Sequence, residues 1–207
     1  MTDSKRLVEI LAKISEQIQM EKEFLTELDN VIGDGDHGIN MARGFKEVDK
    51  KLPDLADKDI GAILKAVGMT LVSTVGGASG PLYGTAFLKA GAAVGTKTEM
   101  DGSDFITALE AAINGVQMRG KAHEGEKTML DALIPALRAI KKSYAEDSDF
   151  QTALAKGVAA AEEGVEYTKT IIATKGRASY LGERSIGHQD PGATSSCILL
   201  NVISQMI

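Results

Sequence analysis

The chain has few aromatic residues and a single cysteine, and both shortages limit what it can be. Aromatic residues make up 4% of its 207 residues and tryptophan is absent, although 43% of the residues are hydrophobic. Aliphatic side chains must therefore fill the core, which favours packed helices over a β-sandwich. Cys197 is the only cysteine, so an internal disulfide is excluded, and its apolar neighbours indicate a core position.

Basic residues and long apolar runs are also scarce. The net charge of −6 argues against a surface that binds nucleic acid or an anionic membrane. No apolar run approaches the roughly 18 residues of a membrane-spanning helix, and the charged N-terminal segment does not have the pattern of a signal peptide. We therefore expect a cytoplasmic protein that forms one domain, residues 1–207, without nucleic acid or membrane among its partners.

Apolar residues recur at helical spacing in eight segments, and no segment has convincing strand character. The first predicted helix is long and runs from Leu7 to Leu28, so that it delivers Asp29 at its end. The next six cover about 41–48, 60–75, 82–94, 103–116, 126–140 and 150–172. The eighth begins at Pro191, with Asp190 as its cap. The fold class is all-α, a single bundle or barrel of eight antiparallel helices.

Serine and aspartate residues stand where several of these helices are expected to begin. Ser79 is a possible cap for the fourth helix, Ser103 for the fifth, and either Ser148 or Asp149 for the seventh. The apolar spacing of the sixth helix also makes Met129 a core residue.

An acidic loop follows the first helix. Asp29, Asp34 and Asp36 lie within eight residues, and no Lys or Arg occurs between Glu23 and Met41. Two carboxylates about 5 Å apart repel by roughly 3 kcal/mol at an effective dielectric constant of about 20. Such a cluster needs a cation, and oxygen ligands favour Mg²⁺, Ca²⁺ or Mn²⁺ over zinc. Because Mg²⁺ usually completes its shell with water and substrate phosphates, the loop predicts a phosphorylated ligand.

The same loop fits two familiar ligand-binding loops poorly. Gly33, Gly35 and Gly38 match G-x-G-x-x-G, but no strand precedes them, and the aspartates would repel a pyrophosphate. An EF-hand counted from Asp34 fails because its twelfth position is Phe45 rather than glutamate. A solvated acidic turn remains open, since Asp and Gly are ordinary turn residues.

Two further stretches have functional character. Residues 76–85, G-G-A-S-G-P-L-Y-G-T, combine a glycine-rich loop with a helix start, which is typical of an anion site, although a plain turn between helices is the alternative. Residues 174–192 lack periodicity and carry Arg177, Arg184 and His188, which favours a lid over phosphates; a disordered connector is the alternative. No P-loop or protein-kinase signature occurs.

Four motifs together resemble a known family. They are G-D-G-D-H-G-I-N-M, G-G-A-S-G-P-L-Y-G, G-E-K-T-M-L-D-A-L and G-R-A-S-Y-L-G-E-R-S-I-G-H-Q-D-P-G-A. In this order they are similar to those of the ADP-binding L subunit of bacterial dihydroxyacetone kinase, and the resemblance runs from about Leu7 to the C-terminus. It implies an eight-helix antiparallel barrel with nucleotide and Mg²⁺ at one end.

The resemblance also implies site residues, position by position. Asp29, Asp34 and Asp36 match the Mg²⁺ ligands, with two ions expected. The remaining matches are to nucleotide-binding positions: the phosphate turn His37, Gly38, Ile39 and Asn40; the glycine-rich loop Ala78, Ser79 and Gly80; the adenine pocket Gly120 and Met129; and the closing loop Arg177, Asp190, Pro191 and Gly192. The resemblance therefore assigns Met129 to the adenine pocket, whereas the apolar spacing assigns it to the core. No side chain is assigned as a catalytic nucleophile.

The resemblance implies partners and a cycle. Bound ADP would accept phosphate from a phosphotransferase-system subunit M, and the resulting ATP would phosphorylate dihydroxyacetone held on a subunit K; a transcription regulator is a further possible partner. Two alternatives remain open. One is the nucleotide domain of an ATP-dependent kinase, of the dihydroxyacetone or fatty-acid type, and the other is a nucleotide-sensing regulatory subunit.

Overall fold

Helices form almost the whole of the chain in the computed structural model, which describes residues 1–146 and 149–207. The described residues contain nine α-helices: α1 Ser4–Met20, α2 Lys22–Ile32, α3 His37–Asp49, α4 Ile60–Thr74, α5 Ser79–Val94, α6 Gly102–Gly120, α7 Leu130–Ala145, α8 Phe150–Thr168 and α9 Pro191–Met206. Two 3-10 helices, Leu52–Leu55 and Arg177–Ser185, and two short strands, β1 Thr2–Asp3 and β2 Glu99–Met100, complete the secondary structure. The strands pair antiparallel. The all-α prediction is confirmed.

The helices close into a ring. From α3 to α9 each helix packs against the next one in the sequence, and α9 returns to α1, which packs against α3. Helix α2 contacts the same two neighbours, α3 and α9, so α1 and α2 together occupy one position. The ring therefore has eight positions, as the predicted barrel requires. Its main buried cluster draws side chains from each of the nine helices.

The connections that matter for function meet at one end of this ring. Successive helices of an up-and-down bundle alternate in direction, so every second connection lies at the same end. The connections α2–α3, α4–α5, α6–α7 and α8–α9 contain the acidic loop, the glycine-rich loop, residues 121–129 and residues 169–190. All four line one cavity.

The long first helix is divided in the structure. At Glu21 the backbone leaves helical geometry, with ψ at 4°, and the helix that follows runs on to Ile32. Asp29 consequently lies in the last turn of α2 and not after its end. The break is invisible in the apolar pattern because Ile18 and Leu25, on either side, are both buried and keep the helical spacing.

Several predicted helix ends are corrected. Asp101, not Ser103, caps α6, since its carboxylate accepts from the N–H of Asp104 and that residue's carboxylate accepts in return. Helix α7 begins at Leu130 and not near 126, because Lys127 has a φ of 62°, which a right-handed helix excludes. Helix α8 stops at Thr168, before the expected end at Ile172.

Two other caps agree with the sequence. Asp149 caps α8 through the N–H of Thr152, while the alternative, Ser148, lies outside the described residues. Asp190 caps α9 through the N–H of Ala193, directly before Pro191, as predicted.

Glycines let α4 and α5 approach closely below the glycine-rich loop. A side chain on Gly61 would lie 1.9 Å from the carbonyl oxygen of Gly95, and one on Gly68 would lie 2.7 Å from that of Gly84. Backbone therefore packs on backbone, which fixes how α5 presents its N-terminus. Within the described residues, no helix has the length and apolar character needed to cross a membrane.

Candidate functional site

The three predicted aspartates converge at the end of the ring. One carboxylate oxygen from each of Asp29, Asp34 and Asp36 lies within 4.8 Å of the other two. Asp29 is buried, Asp36 is half-buried and Asp34 is exposed, so the cluster opens to solvent on one side. The atoms that this cluster offers to a cation are all carboxylate oxygens, the type of ligand that Mg²⁺ and Ca²⁺ prefer.

Asp29 has a second task in shaping the loop. Its Oδ2 accepts hydrogen bonds from the backbone N–H groups of Asp36, at 2.8 Å, and His37, at 3.0 Å. The chain reverses tightly before these groups, with Gly35 at a φ of 72°. Gly33 packs directly on the same carboxylate, since a Cβ there would lie 2.0 Å from Asp29 Oδ1. The loop is therefore held around Asp29 by short-range contacts.

A cation from a distant part of the sequence reaches the cluster. Arg177 Nε lies 2.8 Å from Asp34 Oδ2. The local sequence contains no basic residue, which is why the sequence predicts neutralisation by a bound cation. The structure corrects this in part, because Arg177 neutralises Asp34 while Asp29 and Asp36 still face each other without a basic partner in the described residues.

His37 joins the acidic loop to two other elements. Its buried imidazole lies 3.0 Å, by Nδ1, from the Ser79 hydroxyl and 2.9 Å, by Nε2, from the Ser195 hydroxyl. Ser79 is therefore a partner of His37 and not the expected cap of α5, whose first-turn N–H groups receive no side-chain cap. Burial lowers the pKa of His37. Its ring is a structural link, since both nitrogens are engaged.

This link continues into the ring. The Tyr83 hydroxyl lies 2.7 Å from the Ser195 hydroxyl and 2.8 Å from that of Ser196, and it donates to the Gly192 carbonyl at 3.2 Å. Burial raises the pKa of Tyr83 to about 12, so the phenol keeps its proton. A continuous hydrogen-bond network thus joins α3, α5 and α9 beneath the site.

The glycine-rich loop lies against the acidic loop. Gly77 has a φ of 62°, and a Cβ there would approach Asp36 Oδ1 to 3.9 Å. Gly76 lies on the carboxamide of Asn40, whose Oδ1 accepts from Arg43 at 2.6 Å. Among the residues that the structure describes, no side chain caps the start of α5, so its first N–H groups face the carboxylate cluster, an arrangement suited to a phosphate.

A cavity of about 470 Å³ extends from the carboxylates past the start of α5 to the end of α6. Most of the predicted residues line it: Asp29, Asp34, Asp36, His37, Ala78, Ser79, Gly120, Met129, Arg177, Asp190, Pro191 and Gly192. The lining also includes residues that the sequence did not single out, among them Leu82, Val116, Arg119 and Lys127. In the sequence, Leu82 and Val116 show only as residues of a helix face, and Arg119 only as part of a helix end.

Four predicted residues lie outside this lining. Gly38 packs on α2, where a Cβ would lie 2.1 Å from the Lys22 carbonyl oxygen. Gly80 packs on the Val75 carbonyl, Asn40 supports Gly76, and Ile39 is exposed. Their assignment to the ligand stays a prediction, and the contacts observed here are with the protein itself.

Asp190 is buried at the start of α9. Its carboxylate caps the helix, and burial raises its pKa to about 7, with Asp131 and Asp29 adding to the rise and Lys127 opposing it. The site thus has two kinds of carboxyl group. Asp34 and Asp36 open to solvent, whereas Asp29 and Asp190 are buried.

The lining of the cavity combines two kinds of chemistry. Carboxylates, the start of α5 and Arg177 contribute polar groups, whereas Leu82, Val116 and Met129 contribute apolar side chains. Its volume falls within the range of small-molecule sites, about 300–1,000 Å³. The arrangement suits a ligand that has phosphates at one end and an apolar ring at the other.

Comparisons with known proteins agree on a family. The DAK2 domain model matches residues 31–205. The ADP-binding subunit DhaL of the PEP-dependent dihydroxyacetone kinase of Escherichia coli K12 is 46% identical over 199 residues, covering 96% of this chain and 95% of that protein. The corresponding subunit of the PTS-dependent kinase of Lactococcus lactis is 44% identical over 200 residues, covering 97% and 96%.

More distant relatives are longer. Human triokinase/FMN cyclase is 30% identical over 205 residues, which cover 99% of this chain but 35% of that protein. Among solved structures, the dihydroxyacetone kinase of C. freundii in complex with AMP-PNP and Mg²⁺ matches with a TM-score of 0.74 and 24% identity, covering 96% of this chain and 33% of that one. This likeness shows that the fold is shared.

Proposed function

The chain belongs to the DAK2 domain family, with the ADP-binding subunits of dihydroxyacetone kinases, and from this membership we propose that it is the nucleotide-carrying subunit of such a kinase. Bound ADP accepts a phosphoryl group from a phosphotransferase-system subunit M. The resulting ATP then phosphorylates dihydroxyacetone held on subunit K. In this cycle the nucleotide is a coenzyme, recharged on the protein and not exchanged at each turnover.

One observation carries this proposal. The chain is 44–47% identical to four ADP-binding subunits across at least 92% of their length, whereas identity to the longer single-chain kinases is 30–33%. The subunit type is therefore favoured over an ATP-dependent kinase. That alternative remains an outcome of the experiment below.

The carboxylate cluster fits a divalent cation, since three oxygens lie within 4.8 Å of one another. Asp29, Asp34 and Asp36 would hold Mg²⁺, and we propose two ions, as expected from the family resemblance. Bound Mg²⁺ would neutralise charge on the phosphate oxygens during transfer. With the cation bound, Asp34 would exchange its ion pair with Arg177 for the metal.

The protein's own groups hold the nucleotide. The free N–H groups at the start of α5, beside Ala78 and Ser79, donate to the phosphates, and the helix dipole favours their charge. The adenine ring lies between Leu82, Gly120 and Met129. Gly120 lies beside Leu82, since a Cβ there would lie 3.2 Å from Leu82 Cδ2, and its lack of a side chain leaves room for a flat ring.

Arg177, in the connection between α8 and α9, completes the phosphate site. Released from Asp34, its guanidinium donates to phosphate oxygens in the fork geometry that arginine favours. The connection that carries it covers the cavity and excludes water from the transferring group. No side-chain nucleophile is required, because phosphoryl transfer depends on positioning and charge stabilisation.

A staged nucleotide analysis tests the proposal. The protein is purified gently without added nucleotide. It is supplied first with phosphoenolpyruvate, the general proteins of the phosphotransferase system and subunit M. Subunit K and dihydroxyacetone are added in a second stage. Acid denaturation and chromatography at each stage should show bound ADP, then ATP, then ADP again. If the bound ADP is never converted, while free ATP supports phosphorylation of dihydroxyacetone, the ATP-dependent kinase is the correct alternative.

A further inference from the structure

Lys127 is a buried residue beside the cavity. The proposed nucleotide chemistry does not use this lysine. The residue is 1% exposed, and its Nζ donates to the backbone carbonyls of Thr168 at 2.5 Å, Ser185 at 2.7 Å and His188 at 2.5 Å. Three acceptors match the three donors of an ammonium group, whereas a neutral amine has only two. Lys127 is therefore a satisfied buried cation, although burial lowers its pKa.

The three carbonyls belong to the two ends of one segment. We call residues 168–190 the closing segment, its neck the residues 168–173 and 185–190, and its tip the residues 175–182. The neck has further bonds: the N–H of Gly187 donates to the Lys169 carbonyl at 2.7 Å, and that of Asp190 to the Thr168 hydroxyl at 3.0 Å. Lys127 thus lies where the two halves of the neck, residues 168–173 and 185–190, come together.

The tip has fewer attachments to the rest of the protein. Arg177 pairs with Asp34, Lys175 lies 3.6 Å from a Glu126 carboxylate oxygen, and Ala178 packs with Ile32 in a small apolar cluster. Tyr180 in the tip is 85% exposed. The neck is therefore held by buried bonds, whereas the tip is held by a few contacts near the surface.

The backbone at Lys127 is shaped for this contact. Its φ of 62° is left-handed, a conformation that is unfavourable for a non-glycine residue and persists only where the surrounding contacts hold it. The same turn is closed by Asp131, whose carboxylate accepts from the N–H groups of Gly125 and Thr128. Met129, two residues after Lys127, lines the cavity. One turn therefore forms the cavity wall and binds the neck.

We propose that Lys127 is a positioning residue that ties the neck of the closing segment to the wall of the nucleotide cavity. By holding the neck, it keeps Arg177 in the tip within reach of the phosphates. Its effect on nucleotide rests on the proposed function, but its effect on the neck does not.

Hydrogen exchange without nucleotide tests the tie itself. In Lys127→Met the amides of Ala173, Gly187 and Asp190 should exchange about tenfold faster or more, since three charge-assisted hydrogen bonds are lost. Amides in the middle of α4 and α8 should keep their rates, which a general loss of stability would not allow. Lys156→Met, an exposed lysine on α8, is the matched control and should change nothing. Unchanged neck amides in Lys127→Met would overturn the proposal.

Chemical rescue keeps the test decisive if Lys127→Met folds poorly. In Lys127→Ala, added propylammonium should restore neck protection with saturation, because it supplies the missing donors in the space left by the side chain. Tetramethylammonium, a cation without donors, should not. Restoration by both ions equally, or by neither, contradicts a role for the ammonium group.

The dissociation rate of Mg-ADP then tests the functional half. Lys127→Met should release ADP about tenfold faster or more, with propylammonium slowing release from Lys127→Ala. If wild type binds no ADP, the proposed function fails while the exchange result stands. If wild type binds ADP and Lys127→Met loosens the neck without changing the release rate, positioning of the nucleotide site by Lys127 is excluded.

Discussion

The two sides of the nucleotide cavity are held together by different means. On one side the acidic loop folds around Asp29 through bonds to Asp36 and His37, seven and eight residues away. On the other side, the closing segment depends on Lys127, whose partners lie 41 to 61 residues away, and on the pair between Arg177 and Asp34. The first side, the acidic loop, is preformed by local bonds, and we call it the base of the site. The second side, the closing segment, is held in place by other elements, and we call it the cover.

This difference shows how one end of a helical ring can both hold and admit a ligand. A base fixed by hydrogen bonds to the buried Asp29 carboxylate presents its carboxylates and N–H groups already in place. A cover pinned at its neck can open at the tip while the ring stays closed. Substitutions in the base should therefore change affinity, and those in the cover should change rates and local order.

The largest effect is expected from the base. Asp36→Asn removes one charge from the cluster, and it should weaken Mg-ADP binding about 100-fold, which is about 3 kcal/mol. The melting temperature should change little, because the Asp36 side chain makes no capping hydrogen bond to α3. Calorimetric titration and thermal melts measure both, with Asp57→Asn, an exposed carboxylate elsewhere, as the control. Unchanged affinity would remove Asp36 from the metal site.

A glycine tests how tightly the base is built. Gly33→Ala places a Cβ against the Asp29 carboxylate and should push it from the two N–H groups it binds, which costs about 1–3 kcal/mol of the free energy of unfolding. In an Asp29→Ala background the same substitution should cost less, since the contact with the carboxylate has gone and only the approach to the backbone carbonyl oxygen of residue 29, at 3.0 Å, remains. Urea denaturation of wild type, the two single variants and the double variant gives the coupling free energy between Gly33 and Asp29. Additive effects would show that the glycine acts independently of Asp29.

The neck of the cover predicts a pH dependence. Burial raises the pKa of Asp190 from 3.8 to about 7, so the folded state binds a proton that the unfolded state has released. The free energy of unfolding should therefore fall as pH rises from about 4 to 7. Asp190→Asn, which retains an acceptor for the helix cap, should reduce this fall by about 1–2 kcal/mol. An equal change in the free energy of unfolding between pH 5 and 8 in wild type and Asp190→Asn, measured by urea denaturation, would refute the raised pKa.

The tip should show the smallest effect on stability. Arg177→Gln breaks an exposed ion pair, worth about 0–1 kcal/mol, and should leave the nucleotide-free protein nearly unchanged. In wild type, Mg-ADP should slow tryptic cleavage between Lys175 and Arg184, and in Arg177→Gln this protection should be reduced. Arg138→Gln, which breaks an exposed pair with Glu124, serves as the control. Equal cleavage of wild type with and without nucleotide would argue against a movable tip.

Much of the base could be predicted from the sequence because its contacts are local. Three aspartates between two helices, with glycines beside them, already predict a crowded carboxylate loop, and these carboxylates do converge. The helical ring was likewise predictable, since apolar spacing records which face of each helix is buried. The same spacing hid the break at Glu21, because a one-residue interruption leaves the buried stripe in phase.

The contacts of the cover could not be predicted in the same way. The sequence places Arg177 in a lid over phosphates but gives no sign that it pairs with Asp34, and Lys127 appears only as one charged residue of a motif. The short motif around Lys127 gave no sign that its backbone is left-handed or that its side chain is buried. The start of α6 was missed for a different reason, since Asp101 and Ser103 are both good caps and the choice depends on Asp104, which completes a capping box with Asp101.

The central claim is that this chain keeps its ADP as a coenzyme between turnovers. The most direct measurement loads the protein with labelled ADP and Mg²⁺, adds a large excess of unlabelled ADP, and compares the release rate with the rate of phosphoenolpyruvate-dependent turnover in the same mixture. We predict that turnover is much faster than release, so that one labelled nucleotide serves many cycles. Release as fast as turnover, or faster, would contradict the carrier mechanism.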